Sequence, residues 1–233
     1  MPLTLHSHSG QFCCHAKGEL ADVVTAAQAK GFRVLGLSEH VPRFRLQDLY
    51  DEERHLSVAD LGDTFERYVA TARALQRQHR SASFDLLVGA ETEYINDESL
   101  VWAHQLRERH GLDYLVGSVH HVREIPIDFD QAQFNRCLAA CGGSLIDLYA
   151  DYFDAQYRML TALRPEVVGH FDLCRLFTPR SNPLCRTLPP SVWERVLRNI
   201  DVVVAYGGLF EINSRAYKKG LPDAYPQRDI LQV

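Results

Sequence analysis

The feature that most restricts the fold of this 233-residue chain is a regular alternation. Short β-rich runs take turns with longer amphipathic ones, and every short run ends in histidine or carboxylate. LTLHSHS, VLGLSEH, FDLLVGAETEY, DYLVGSVHHV, EVVGHFDL and LFEINS read as strands. Between them, GELADVVTAAQAKGF carries Leu20, Val23, Val24 and Ala27 on one stripe and stops at Gly31. LGDTFERYVATARALQRQH, SLVWAHQLRERHG and SLIDLYADYFDAQYRMLTAL repeat that helical period, and PPSVWERVLRNIDVVVAYGG opens on prolines and closes on glycines. Strands alternating with helices imply a parallel α/β architecture, either an open doubly wound sheet or a barrel. The first turn lacks the glycine-rich phosphate fingerprint of a dinucleotide fold, which lowers the weight of the open sheet.

The polar residues decide between the two. His6 and His8 close the first run, Glu39 and His40 the second, Glu91 and Glu93 the third. His120 and His121 close the fourth, His170 and Asp172 the fifth, Glu211 and Asn213 the sixth. Polar residues at one or two strand ends need no explanation, but histidines or carboxylates at all six predict a site at the C-terminal mouth of a barrel. Side chains at i and i+2 on a strand face the same way, so His6 and His8 can converge as paired ligands. Imidazoles and carboxylates without a set of thiolates suit zinc, manganese or iron. The candidates outnumber the ligands of one catalytic zinc, which favours a cluster of two or three ions.

Composition excludes some alternatives. A net charge of −5 and a pI near 6 speak against a nucleic-acid backbone as main partner. No apolar run reaches membrane-spanning length and the N-terminus has no signal-peptide core, so no membrane partner and a cytoplasmic location are expected. The six cysteines, 13, 14, 137, 141, 174 and 185, are expected as free thiols. Cys137 and Cys141, four apart, suit one helical face better than a zinc knuckle.

HSHS with His15 downstream, SEH, GAETEY, GSVHHV and VVGHFDL, in this order, resemble the PHP (polymerase and histidinol phosphatase) superfamily of metal-dependent phosphoesterases. GSVHHVREIPIDFD, YFDAQYRML and GGLFEINSRAYKKGLPDAYPQRDIL are similar to its histidinol-phosphatase branch, especially the fungal members, and the likeness runs over essentially the whole chain. The resemblance implies a single domain over residues 1–233, a distorted TIM-like (β/α)7 barrel with a multinuclear metal site. It implies metal ligands at His6, His8, His15, His40, Glu91, His120 and His170, for two to three divalent ions, zinc, manganese or iron. Glu91, His120 and His170 would carry the chemistry. Cys13 and Cys14 would be walls of the mouth and not ligands, Glu93 an orienting partner of a ligand or of Tyr94, and His121 a structural residue facing away from His120.

The implied reaction is hydrolysis of L-histidinol phosphate, a small phosphate ester, to L-histidinol and phosphate in histidine biosynthesis. Arg175, Arg215 and Lys218, on loops of the same mouth, are the candidates to hold the phosphate, bidentately in the case of the arginines. The family completes its site with an Asp-x-His motif on a seventh strand, and no such motif occurs here. The expectation is a chain incomplete at its C-terminus, lacking that strand and feebly active. The alternatives are an inactive or regulatory metal-binding relic of the family, or a PHP-type nuclease or other phosphoesterase.

Overall fold

The computed structural model describes residues 2–178 and 187–233, so Cys185 lies outside the described residues. They form two compact units: residues 1–93 with 102–116, and residues 94–101 with 117–233.

In the first unit, β1 (Leu3–Thr4), β2 (Val34–Leu37), β3 (Asp85–Glu91) and β4 (Tyr114–Gly117, shared at its last residue with the second unit) run parallel. Leu3 pairs with Val34, Val34 with Asp85, and Gly89 with Tyr114. β1 and β2 are joined through α1 (Leu20–Ala29), β2 and β3 through α2 (Val58–His79). The helix ends obey their sequence. Gly31 takes φ +75 just past α1, and Ser57 caps α2 by accepting the Asp60 amide at 3.2 Å. Leu20 and Val24 of α1, Phe65, Tyr68 and Ala72 of α2, and Leu35, Leu37, Leu86, Val88 and Ala90 of the strands form its buried core. Parallel strands put all their C-terminal ends on one edge, and that edge carries the polar residues.

One side chain locks this edge. The Tyr114 hydroxyl donates to the carbonyls of Leu5 at 2.8 Å and Leu37 at 3.2 Å, tying β4 to the segments that precede His6 and Glu39. It reaches them because Gly36 and Gly89 have no side chain. A Cβ at Gly89 would lie 2.5 Å from the Tyr114 ring, and one at Gly36 would overlap its hydroxyl oxygen and crowd the Leu5 backbone at 2.9 Å. Gly36→Ala is therefore expected to lower stability by about 1–3 kcal/mol through overpacking. Urea unfolding checks it, and an unchanged midpoint would remove Tyr114 from this role.

In the second unit, β7 (Val167–Val168) and β8 (Leu209–Phe210) pair in parallel across α6 (Pro190–Tyr206). As expected, α6 starts on proline and ends at Gly207 with φ +78. α5 (Leu145–Leu163) packs on α6 around a buried polar knot. Asn199 Nδ2 donates to the Phe153 carbonyl at 2.8 Å and to Gln156 Oε1 at 3.0 Å, while Gln156 Nε2 donates to the Phe171 carbonyl at 2.8 Å. The segment after β7 is thereby fastened to the helices. α4 (Gln131–Ala140) and the antiparallel hairpin of β5 (His121–Val122) and β6 (Ile125–Pro126) are additions to the six strands and five helices the periodicity predicts. α3 (Asp97–His110) is the helix expected before Gly111, and α7 (Arg215–Lys218) is a single turn.

The described cysteines, 13, 14, 137, 141 and 174, are free. Cys137 lies on α4 and Cys141 follows its last residue, both buried. No helix among the described residues is long and apolar enough to cross a membrane.

Candidate metal centre

Among the strand-end residues of the predicted site, only Glu91 lies within a strand; the histidines sit in the segments just beyond them. The reason is local. β1 ends at Thr4, and Ser7 then turns the chain onto β2: its amide donates to Ser38 Oγ at 3.0 Å and its hydroxyl to the Gly36 carbonyl at 2.8 Å.

In the first unit three imidazole nitrogens converge on one carboxylate oxygen. His6 Nε2, His8 Nε2 and His40 Nδ1 stand 3.2, 3.1 and 3.2 Å from Glu91 Oε2, and Glu91 is 1% exposed. His6 and His8 approach each other at 3.2 Å between Nε2 atoms, and His15 and His40 at 3.3 Å. The His8 and His40 rings stack at 4.5 Å and 9°. Ring nitrogens gathered around a buried carboxylate form a donor set that suits a cation, and each of these atoms is a good ligand to zinc, manganese or iron. His8, His15 and His40 each offer a ligand atom within 4.8 Å of the others.

A second layer of carboxylates fixes the rings. Glu39 Oε1 accepts from the Ser9 amide and hydroxyl, both at 2.7 Å, and Glu39 Oε2 stands 3.3 Å from His8 Nδ1, leaving His8 Nε2 to face Glu91. A carboxylate behind an imidazole fixes its orientation and raises its basicity. Glu93 Oε1 lies 2.8 Å from His40 Nδ1, the same nitrogen that faces Glu91, and 3.6 Å from Arg43, which also pairs with Glu53 and covers the Tyr50 ring at 4.5 Å. Glu39 stands at a strand end but outside the site the sequence predicts; its place directly before His40 is the available signal.

The two rings respond differently to this setting. Burial works against charge on His8, but Glu39 and Glu91 outweigh it and raise its pKa. For His40 burial dominates over the same acid, and its pKa falls to about 4, so the ring is a neutral donor at pH 7. Burial, followed by nearby Glu39 and Glu91, pushes the Cys13 thiol up to about 12.

In the second unit His120 and His170, both buried, face each other at 3.2 Å between Nε2 atoms. His170 has φ +21, a backbone setting that side chains resist. Glu211 Oε2 holds it there by accepting the His170 amide at 3.0 Å. His121 is buried on β5.

The phosphate candidates divide. Arg215 and Lys218 are exposed on α7. Arg175 is 7% exposed and engaged: Nε donates to the fully buried Asp172 at 2.8 Å, and Nη2 to the carbonyls of Asp223, at 3.0 Å, and Ala224. Its guanidinium also lies 4.6 Å over the Tyr225 ring, which meets the His170 ring edge-on at 6.4 Å. Asp172 is only three residues from Arg175, but Tyr225, the two carbonyls and the Gln227 amide that donates to Asp172 at 3.0 Å are more than 45 residues away along the chain, where no local pattern points to them.

Residues 4–215 match the PHP domain family. The chain is 47% identical over 233 residues to a protein of Schizosaccharomyces pombe named "Probable histidinol-phosphatase", covering 100% of this chain and 76% of that one. It is 31% identical to the "Histidinol-phosphatase" of Saccharomyces cerevisiae, covering 98% of this chain and 77% of the relative. The crystal structure of hisK from Listeria monocytogenes, at 19% identity, matches 99% of this chain and 89% of its own with a TM-score of 0.83. The fold class is therefore the one expected, a distorted TIM-like α/β type.

Proposed function

The chain belongs to the PHP domain family, and on that premise we propose that it is a metal-dependent phosphomonoesterase, a histidinol-phosphatase that hydrolyses L-histidinol phosphate to L-histidinol and phosphate. The observation that carries the reading is the likeness, over the residues of this chain, to relatives named for that reaction, joined to a donor set of histidines and carboxylates suited to the family's metals. The match over residues 4–215 reaches into both compact units, which supports one PHP domain. A biosynthetic enzyme of this kind is placed in the cytoplasm.

The ligand set proposed is His6, His8, His15, His40, Glu91, His120 and His170, for two or three ions of zinc, manganese or iron. Such ions, when bound, supply a water of lowered pKa and neutralise charge on the phosphoryl oxygens during in-line displacement. The residues prepare for this. Glu91 brings a carboxylate that can serve more than one cation, Glu39 keeps His8 aimed, and Glu93 adds a second carboxylate beside His40 Nδ1. Arg215 and Lys218 are offered to the phosphate from α7, and Arg175 offers what Asp172, Asp223 and Ala224 leave of its fork.

The test is phosphate release from L-histidinol phosphate and from p-nitrophenyl phosphate after loading with manganese, iron or zinc. The expected result is a clear preference in kcat/KM for L-histidinol phosphate. Equal turnover of both esters would reduce the reading to a generic phosphoesterase, and no release from either with full metal content would favour the relic.

A further inference from the structure

We propose that Glu211 and Asn213 act as one positioning pair, which fixes the backbone of His170 for its ion and sets Arg215 in step with it. The inference rests on the reading of His170 as a metal ligand and Arg215 as a phosphate contact, and adds the residues that hold both.

The pair is written in the chain as EIN, and positions two apart on an extended segment face the same way. The Glu211 amide donates to the Val168 carbonyl at 3.0 Å, so the β7–β8 pairing continues past Phe210 and brings Glu211 level with the segment after β7. Glu211 Oε2 accepts the His170 amide at 3.0 Å, and Oε1 accepts Asn213 Nδ2 at 3.0 Å. Asn213 Oδ1 in turn accepts the amide of Arg215, the first residue of α7, at 2.8 Å. The backbone of Asn213 is clamped as well. Its amide donates to the Tyr225 carbonyl at 2.7 Å, and its carbonyl accepts the Tyr225 amide at 3.0 Å. Arg175 holds the carbonyls of Asp223 and Ala224 just before Tyr225, so the pair stands on a fixed support.

These bonds have a direction. The Arg215 amide is a donor and takes Asn213 Oδ1, which turns Nδ2 toward position 211. Position 211 must then offer one acceptor to Nδ2 and another to the His170 amide. A carboxylate has two such oxygens, and a glutamine amide has one. His170 needs the hold because its φ of +21 is a setting that side chains resist. Relaxation there would turn the imidazole away from His120, whose Nε2 stands 3.2 Å from its own.

Zinc titration of the metal-free protein, alongside turnover of L-histidinol phosphate, tests the pair in wild type, Glu211→Gln, Asn213→Asp and the double variant. Glu211→Gln sets two N–H groups against each other, and Asn213→Asp sets two carboxylates together. Each is expected to lower zinc affinity and kcat/KM by about 10-fold or more. The double variant reverses the central bond, keeps acceptors for the His170 and Arg215 amides, and leaves the net charge unchanged. It is expected to return both values to within about 3-fold of wild type. Charge alone predicts the opposite for one variant: Asn213→Asp would bind zinc more tightly than wild type. That result overturns the proposal and leaves the metal centre standing, as does a double variant no better than Glu211→Gln. A wild type that binds no zinc takes down the centre and the proposal with it. Should the variants not fold, hydrogen exchange of the wild type decides, since the His170 amide is expected to be strongly protected and fast exchange refutes the clamp.

Discussion

Glu91→Gln is expected to cut phosphate release from L-histidinol phosphate by about 10³-fold or more and to leave the purified protein with reduced metal. Three histidine nitrogens surround one oxygen of this carboxylate, at 3.1–3.2 Å, in a pocket almost closed to solvent. An amide keeps the shape but removes the negative charge that balances the cations and the second oxygen that can bridge them. Phosphoryl transfer depends on that charge being fixed in place, and removing a single preorganised electrostatic group costs two to three orders of magnitude in other hydrolases. Elemental analysis and turnover are the two measurements. Wild-type metal content and rate in Glu91→Gln would show that the histidines hold the ions without it.

The second large effect is on stability. Arg175→Ala is expected to destabilise the protein by about 3–5 kcal/mol, the usual cost of stripping one partner from a buried ion pair. Asp172 is fully buried, and its carboxyl is already raised by burial against the opposing pull of Arg175. Without the guanidinium, ionised Asp172 keeps the Gln227 amide as a partner but loses its charge partner. A carboxyl with a raised folded pKa weakens the fold as pH rises above its unfolded value and costs nothing once protonated, so the deficit should shrink toward acid pH. Urea unfolding of both forms at two pH values checks magnitude and sign. A variant as stable as wild type, with only KM increased, would return Arg175 to the simpler role of a phosphate clamp. The contacts to Asp223, Ala224 and Tyr225 weigh against that outcome.

The alternation of periods was legible because it is local: a strand or a helix writes its own pattern within a dozen residues, and caps such as Ser57, Gly31 and Gly207 mark the ends. Strand-end histidines were legible for the same reason, since a parallel sheet collects C-terminal ends whatever its connections do. The β5–β6 hairpin was not. It turns on Arg123 and Glu124 at φ +52 and +62, where the Asn-Gly signal of such turns is missing, so only the surrounding packing can impose it.

By itself, then, the sequence determined the parallel α/β class and the family, and it nominated the histidines and carboxylates that could hold metal. Tertiary structure alone decided how they are used. It set three nitrogens on one oxygen of Glu91, put Glu39 behind His8, buried Cys13 against His15 while exposing Cys14, and turned Arg175 inward onto Asp172. Residue type fixes what an atom can donate or accept. Which atoms meet depends largely on contacts between segments tens of residues apart, as for Glu91 with the histidines, Glu39 with His8 and Arg175 with Asp223 and Ala224, whose distances no local period encodes.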